Sequence, residues 1–366
     1  MPDCSFTVRV DDLRAVRAFD DGAASRPLGE GEVRFRVGPF SLTANNVTYG
    51  VLGRAFGYFD FYPAPEAGEG IVPVWGFATV TESRAPGVAV GERFYGYLPP
   101  SSHAILCPGK VSRSGFVEAS PHRAGLPAIY NQYQATAADP RHRAEAEGAA
   151  AVFRPLLATA FLLGDFLVEE AYFGATRIVL SSASSKTALA TAALLSAARA
   201  SGGPRVVGLT QPSRQSHLSS LGCYDEVVPY GEVDRLGAEP TVYIDFAGDA
   251  ALRARLHEAL GDALRHDAIV GSTHWSARQP SGRLPGVEPT LFFAPSRAAK
   301  RAADWGRDEL TRRIAAASAD FAARALGGPE PWVRVVAADG LPAVLATWAA
   351  LLAGEVPADE ARVFTV

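Results

Sequence analysis

The stretch Arg177-Ile-Val-Leu-Ser-Ser-Ala-Ser-Ser-Lys-Thr-Ala-Leu-Ala190 decides how this chain is read. A short apolar strand runs into a turn of small residues, and good helix formers follow. That is the layout of a loop that cradles a phosphate at a helix N-terminus. Such loops usually carry two or three glycines, for tight turning and close backbone approach. This one carries none. Its hydroxyls, on Ser182, Ser184, Ser185 and Thr187, are candidates to donate to phosphate oxygens, and Lys186 adds charge. The plain alternative is a serine-capped helix without a ligand. Two rival motifs fail on the residues. A Walker A loop needs Gly at 180 and 185, where Leu180 and Ser185 stand. An S-x-x-K nucleophile needs Ser at 183, where Ala183 stands.

Outward from the turn, strands alternate with helices. Strands are expected at Arg177–Leu180, Arg205–Leu209, Glu226–Val228, Thr241–Phe246 and Ala268–Val270. Helices are expected at Phe153–Val168, Thr187–Ala200, Ser213–Leu221 and Ala250–Leu264. This order predicts right-handed crossovers and a parallel sheet covered on both faces. Ligands bind such sheets at the carboxyl ends of strands. Small residues stand there: Ala247 and Gly248 after the fourth strand, and Gly271, Ser272 and Thr273 after the fifth, with His274 beside them.

From Ala171 to Tyr224 there is no Asp or Glu, but there are five bases: Arg177, Lys186, Arg199, Arg205 and Arg214. An NAD site usually carries an acid about 20 residues after the loop. Here the second strand ends in Thr210, Ser213 and Arg214, which suit a 2′-phosphate. The expected cofactor is therefore NADP(H).

Residues 1–150 are rich in Gly, Pro and aromatics, with period-two runs such as Glu32–Val37 and Glu92–Leu98. They read as a small β-barrel or sandwich. Beyond Pro295 a charged helical stretch, Ala298–Leu326, is followed by a strand at Trp332–Val336, a helix at Leu341–Ala353 and a strand at Ala361–Val366.

The chain has 366 residues, 48% hydrophobic and 20% charged, with a net charge of −4. That charge gives no general attraction to nucleic acid or an anionic membrane. Cys4, Cys107 and Cys223 lie far apart and indicate neither disulfides nor zinc. No signal peptide is recognised, and no apolar run reaches the roughly 18 residues of a membrane span. A cytoplasmic protein is expected.

The element order resembles the medium-chain dehydrogenase/reductase superfamily over nearly the whole chain. Gly174–Ala188 resembles the superfamily's "pG..VLV.GA.GGVG" signature, with Ser185, Lys186 and Ala188 at usual glycine positions. Leu221–Val227 resembles its "LGAD.V" segment, and Leu341–Val366 its closing helix and strand. The resemblance implies an α/β protein with a GroES-like β-rich domain, 1–150 completed by 295–366, and a Rossmann doubly wound domain, 151–294. Asn45–Tyr49, Pro73–Phe77, Ser181–Thr187, Leu221–Asp225 and Gly271–Trp275 also resemble a bacterial domain of unknown function related to the quinone oxidoreductases.

Asn45-Asn-Val-Thr-Tyr49 stands where the alcohol-dehydrogenase branch has its zinc-binding Cys, and it offers no soft ligand. No metal is expected, so alcohol oxidation is poorly supported. The resemblance implies an NADPH-dependent, zinc-independent reductase of an activated C=C bond in an enone, quinone or enoyl thioester. Candidate donors to the carbonyl oxygen or to carbon are Tyr49, Tyr58, Tyr130 and His274, with Asn45 or Asn46 orienting. Each tyrosine can equally be a packing residue. Two other functions stay open: a non-redox enzyme acting on a coenzyme A or carrier-protein arm, and a non-catalytic NADPH-binding protein. A homodimer is expected by analogy.

Overall fold

The computed structural model describes residues 4–199, 202–272, 284–327 and 329–366. The chain divides into two compact units. One comprises 1–152, 335–356 and 360–366; the other comprises 153–334 and 357–359.

The first unit is β-rich. Its larger sheet has nine strands. Along the path they run Arg334–Asp339, Glu360–Thr365, Val33–Leu42, Val74–Ser83, Arg93–Leu98, Gln132–Ala135, Gly115–Glu118 and Pro108–Ser112. His103–Leu106 pairs with Val33–Leu42 off this path. A three-stranded sheet is formed by Val16–Phe19, Ser5–Arg9 and Glu69–Gly70. Alternating aromatics fill the interior: Phe35, Phe77, Tyr97 and Phe364 are at most 1% exposed.

The second unit holds the parallel sheet that the alternation predicts, in the doubly wound form that the resemblance implies, with one strand, Thr290–Leu291, that was not expected. Its six strands are ordered Glu226–Pro229, Arg205–Thr210, Arg177–Leu180, Thr241–Asp245, Leu264–Ile269 and Thr290–Leu291. All neighbours are parallel. In chain order this is 3-2-1-4-5-6, the dinucleotide-fold arrangement. Ile178, Val179, Leu180, Val206, Val207, Val242 and Ile244 are fully buried, which is why these strands read as continuous apolar runs.

Several expectations are corrected. The stretch after Pro295 forms two helices, Ala294–Trp305 and Arg307–Ala325, broken at Gly306 with φ 86°. They belong to the second unit, not the first. Arg297 and Arg301 pair with Asp165 there, and Phe321 packs on Phe153 at 5.4 Å. Long-range ion pairs of this kind leave no local trace in the sequence. The Ser213–Leu221 helix is a 3-10 turn, Pro212–Arg214, followed by a short helix, Gln215–Ser220. One helical stretch, Ala144–Glu169, is long and apolar enough to cross a membrane by length and composition, although half of the qualifying window is buried in protein. Reading uninterrupted apolar runs missed it, because Arg154 and Asp165 break the run.

Candidate active site

The turn at the carboxyl end of the Arg177–Leu180 strand achieves without glycine what the fold requires. Ser182 adopts φ 48°, a left-handed conformation that costs a non-glycine residue about 1–2 kcal/mol. Its backbone N–H donates to the Tyr230 hydroxyl at 3.1 Å. Burial pushes the pKa of that hydroxyl up to about 12, so it stays protonated. Close approach has been moved to the neighbouring strand. A Cβ on Gly208 would lie 2.9 Å from both the Ala183 Cβ and the Tyr224 ring. The Tyr224 hydroxyl donates to the Ala183 carbonyl at 2.8 Å and holds the turn against that strand.

Ser185 is the N-cap of the Lys186–Ala198 helix, its hydroxyl accepting from the Ala188 N–H at 3.3 Å. Its hydroxyl is therefore committed to the helix. The N–H groups of Lys186 and Thr187, like those of any first helical turn, have no intrahelical acceptor. The Lys186 ammonium donates to the carbonyl of Ala358 at 3.0 Å. Arg214, at the end of the second strand, donates to the Ser184 hydroxyl at 2.8 Å. Two residues read separately from sequence thus meet. Thr210 is buried and Ser213 exposed.

The other bases of the acid-free window do not gather here. Arg177 pairs with Glu239, Arg205 with Glu226 and Glu239, and Arg199 with Asp225. Those acids lie just beyond the window in sequence, at or before the amino ends of strands. Only Lys186 and Arg214 of the five carry charge to the turn side.

At the fourth strand's end, Gly248 has φ 69°, and a Cβ there would lie 3.0 Å from Ser272. Ala247, Gly248, Gly271 and Ser272 therefore form a tight crossing of two turns. Thr273 and His274 lie outside the described residues. The residues present fit an anionic dinucleotide: a helix N-terminus, a turn of small side chains, and one arginine and one lysine.

In the first unit, three expected tyrosines come together. The rings of Tyr49 and Tyr58 are 4.6 Å apart, those of Tyr58 and Tyr130 5.7 Å, and those of Tyr49 and Tyr130 6.4 Å. Each is 6% exposed. The Tyr49 hydroxyl accepts from the Trp75 indole at 3.1 Å, and those of Tyr58 and Tyr130 lie 3.4 Å apart. Burial above all, then the neighbouring phenol of Tyr58, raises the pKa of Tyr49. Burial likewise raises those of Tyr58 and Tyr130. All three phenols are therefore proton-bearing donors at physiological pH.

Sequence reasoning missed Tyr97. Its ring lies 4.7 Å from Tyr130, 5.0 Å from Trp75 and 5.6 Å from Tyr49, and it is fully buried. Its hydroxyl has no hydrogen-bond partner among the described residues. No local signal marks it, since Arg93–Leu98 reads as an ordinary core strand. Tyr62 and Tyr133 serve the fold instead, both hydroxyls donating to the Tyr97 carbonyl.

Asn46 departs from its expected orienting role. It is 3% exposed, within the Ala44–Val51 helix. Its Oδ1 accepts from the Thr43 N–H at 2.8 Å, completing a capping box, and its Nδ2 donates to the Pro73 carbonyl at 3.0 Å. Both ends of the amide are thus occupied by backbone. A trio also unforeseen, Cys4, Asp20 and Asp21, comes within ligating distance of one another. Its carboxylates already accept from Gly22, Ala23 and Ser101.

No curated protein matches the chain in sequence. Solved structures share its fold at low identity. CurA from Vibrio vulnificus, in complex with NADPH, is 12% identical with a TM-score of 0.62, over 98% of each chain. The yhdH oxidoreductase from Salmonella enterica, in complex with NADP, is 15% identical with a TM-score of 0.51, over 96% of this chain and 95% of that one. The quinone oxidoreductase from Coxiella burnetii is 12% identical with a TM-score of 0.51, over 100% and 99%. The fold implied by the resemblance to medium-chain dehydrogenases/reductases is therefore the fold found. Residues 40–357 match the family described as "Protein of unknown function (DUF2855)", and the chain belongs to that family.

Proposed function

We propose that this protein is an NADP(H)-dependent, zinc-independent reductase of an activated C=C bond. The observation that carries the cofactor half is the bond from Arg214 to Ser184, which sets a guanidinium on the turn where a 2′-phosphate cofactor is chosen over one without. The NADPH or NADP bound in solved structures of this fold supports the same reading.

In this reading the main-chain N–H groups of Lys186 and Thr187 and the Ser184 hydroxyl hold the cofactor phosphates, while the Ser185 N–H closes the turn on the Ser182 carbonyl, and Arg214 with Lys186 balances their charge. NADPH supplies the hydride. Tyr49 donates a hydrogen bond to the substrate carbonyl oxygen, where negative charge develops as the C=C bond accepts hydride. The Tyr58 and Tyr130 hydroxyls, 3.4 Å apart, each keep their own proton beside it. The raised phenol pKa values favour hydrogen-bond donation to the oxygen over full proton loss. The quinone or enoyl character of the substrate is the finer part of the proposal.

The test has two steps. NADPH should raise the melting temperature of the purified protein, and NADH should raise it less. NADPH oxidation is then followed against quinones, simple enones and enoyl thioesters, with turnover expected on at least one class. Absence of a shift with either nucleotide overturns the proposal. Binding without turnover on every class restricts it to a nucleotide-binding protein.

A further inference from the structure

The turn after the first parallel strand and the turn after the fourth share one anchor. Asp245 ends the Thr241–Asp245 strand and is fully buried. Its Oδ1 accepts from the Ser181 hydroxyl at 2.7 Å and from the N–H groups of Ala247 and Gly248, both at 2.9 Å. The Ser181 oxygen in turn accepts from the N–H groups of Phe246 and Ala247, at 2.9 and 3.0 Å. One carboxylate oxygen therefore fixes where the Ser181–Ser185 turn and the Phe246–Gly248 turn begin.

The other oxygen of Asp245 pairs with Arg253, from the Ala250–Leu260 helix. Arg253 Nε lies 3.3 Å from Asp267 Oδ2 on the next strand, an ion-pair contact without hydrogen-bond geometry. That same oxygen is 2.9 Å from His257 Nε2, and His257 Nδ1 is 2.8 Å from the Pro285 carbonyl. Asp245, His257 and Asp267 are all 0% exposed.

Proton counting fixes the state of the imidazole. A carbonyl only accepts, so Nδ1 carries a proton. Nε2 faces a carboxylate, so it carries one as well. Only the imidazolium has both. Moving the proton to Asp267 instead would bring a neutral acid against the Arg253 guanidinium. With His257 charged, two carboxylates meet two cations and the buried set is neutral, the condition under which such charges can be buried. Asp267 Oδ1 has no hydrogen-bond partner among the described residues, so the Asp267 charge depends on its Oδ2 contacts.

We propose that Asp245 is the positioning residue of the cofactor end of this sheet, held there by a buried relay, Arg253–Asp267–His257, that needs the imidazolium. The inference rests on the cofactor reading above. Burial alone would lower the His257 pKa, but the hydrogen bonds to Asp267 and Pro285 outweigh it and the pKa is raised. The other groups near the relay do not titrate in the same range. Burial keeps the Tyr243 and Tyr230 phenols protonated, and it lowers the pKa of His266, the opposite direction to His257.

A group whose folded-state pKa is raised stabilises the fold fully below its ordinary value, 6.5 for His257, and loses that contribution as pH rises through the raised value. Nucleotide affinity should fall over the same window, because Asp267 loses a donor, draws on Arg253, and loosens its hold on Asp245.

The experiment uses the full chain, with NADPH as the probe. Nitrogen-15 NMR of histidine-labelled protein should find both His257 ring nitrogens protonated at neutral pH; a neutral ring there overturns the relay. The NADPH dissociation constant is measured between about pH 6 and 9. Wild type should weaken severalfold across that range. His257→Gln should flatten the profile, and an unchanged profile in that variant overturns the coupling. Asp245→Asn should weaken NADPH roughly tenfold at neutral pH; unchanged affinity removes Asp245 as the positioning residue. If that variant fails to fold, Ser181→Ala, which leaves the charge unchanged, carries the same expectation. Failure of wild type to bind NADPH overturns the proposed function and the positioning role together. The NMR signature then still decides on the imidazolium relay by itself.

Discussion

In the turn after the first parallel strand, nearly every polar side chain has a fixed partner: Ser181 with Asp245, Ser184 with Arg214, Ser185 with the Ala188 N–H, Lys186 with the Ala358 carbonyl. Around Tyr49 the arrangement is the reverse. Rings are locked by packing, the hydroxyl bonds are few and long, and that of Tyr97 has no partner. The two regions illustrate different ways of preparing to meet a ligand. The turn is shaped by hydrogen bonds that settle its backbone, and under the proposed function its N–H groups would do the binding. The cluster is shaped by burial, which keeps protons on phenols and leaves donors in reserve.

That contrast can be broken by experiment. The largest effect is expected from Tyr49→Phe, which keeps the ring and removes the donor. Turnover should fall on the order of a hundredfold, with NADPH affinity unchanged, as read by steady-state kinetics beside direct titration. If turnover holds and affinity drops, the cluster belongs to cofactor binding and the distinction collapses.

Next in size is Arg214→Ala, which removes a charged donor from the turn. NADPH affinity should weaken by about 1.5–3 kcal/mol, and NADH affinity by far less. Equal losses for both nucleotides would make Arg214 a brace for Ser184, with no part in choosing the cofactor.

Gly208→Val tests whether the turn depends on the neighbouring strand. The added side chain meets Ala183 and Tyr224, and stability should drop by about 1–3 kcal/mol in chemical denaturation. NADPH binding should weaken with it, whereas an unaffected turn would show that Ala183 can give way.

The smallest change is expected from Tyr97→Phe, and it has the opposite sign. Deleting a buried, unpartnered hydroxyl should stabilise the fold by about 1 kcal/mol. If turnover falls in the same variant, the unpartnered hydroxyl meets the substrate. If both stability and turnover are unmoved, it does not.

The alternation of strands and helices and the turn were legible because they rest on local pattern: buried strands without alternation, small residues between them, helix formers after. The Tyr49–Tyr58–Tyr130 grouping was partly legible, since aromatic runs mark a core without saying which rings meet. What escaped was long-range pairing. The left-handed turn position is held by Ser182, a residue type that does not announce that conformation. The glycine that such a loop needs stands at 208, on another strand. The acid-free window overstated the positive charge at the turn, because Asp225, Glu226 and Glu239 neutralise three of its bases from just outside it. Asp245 fell inside an expected strand and Asp267 just before one, and nothing local sets either beside Arg253.

The antiparallel pairing of Phe40 with Phe364 has a consequence for biosynthesis. The strand Val33–Leu42 leaves the ribosome early, yet one of its partners, Glu360–Thr365, follows only after the whole parallel-sheet unit has been made. At roughly 5–20 residues per second, that is a delay on the order of tens of seconds. During that interval the Phe40–Leu42 end of the strand lacks that partner, the kind of open edge on which other chains can pair.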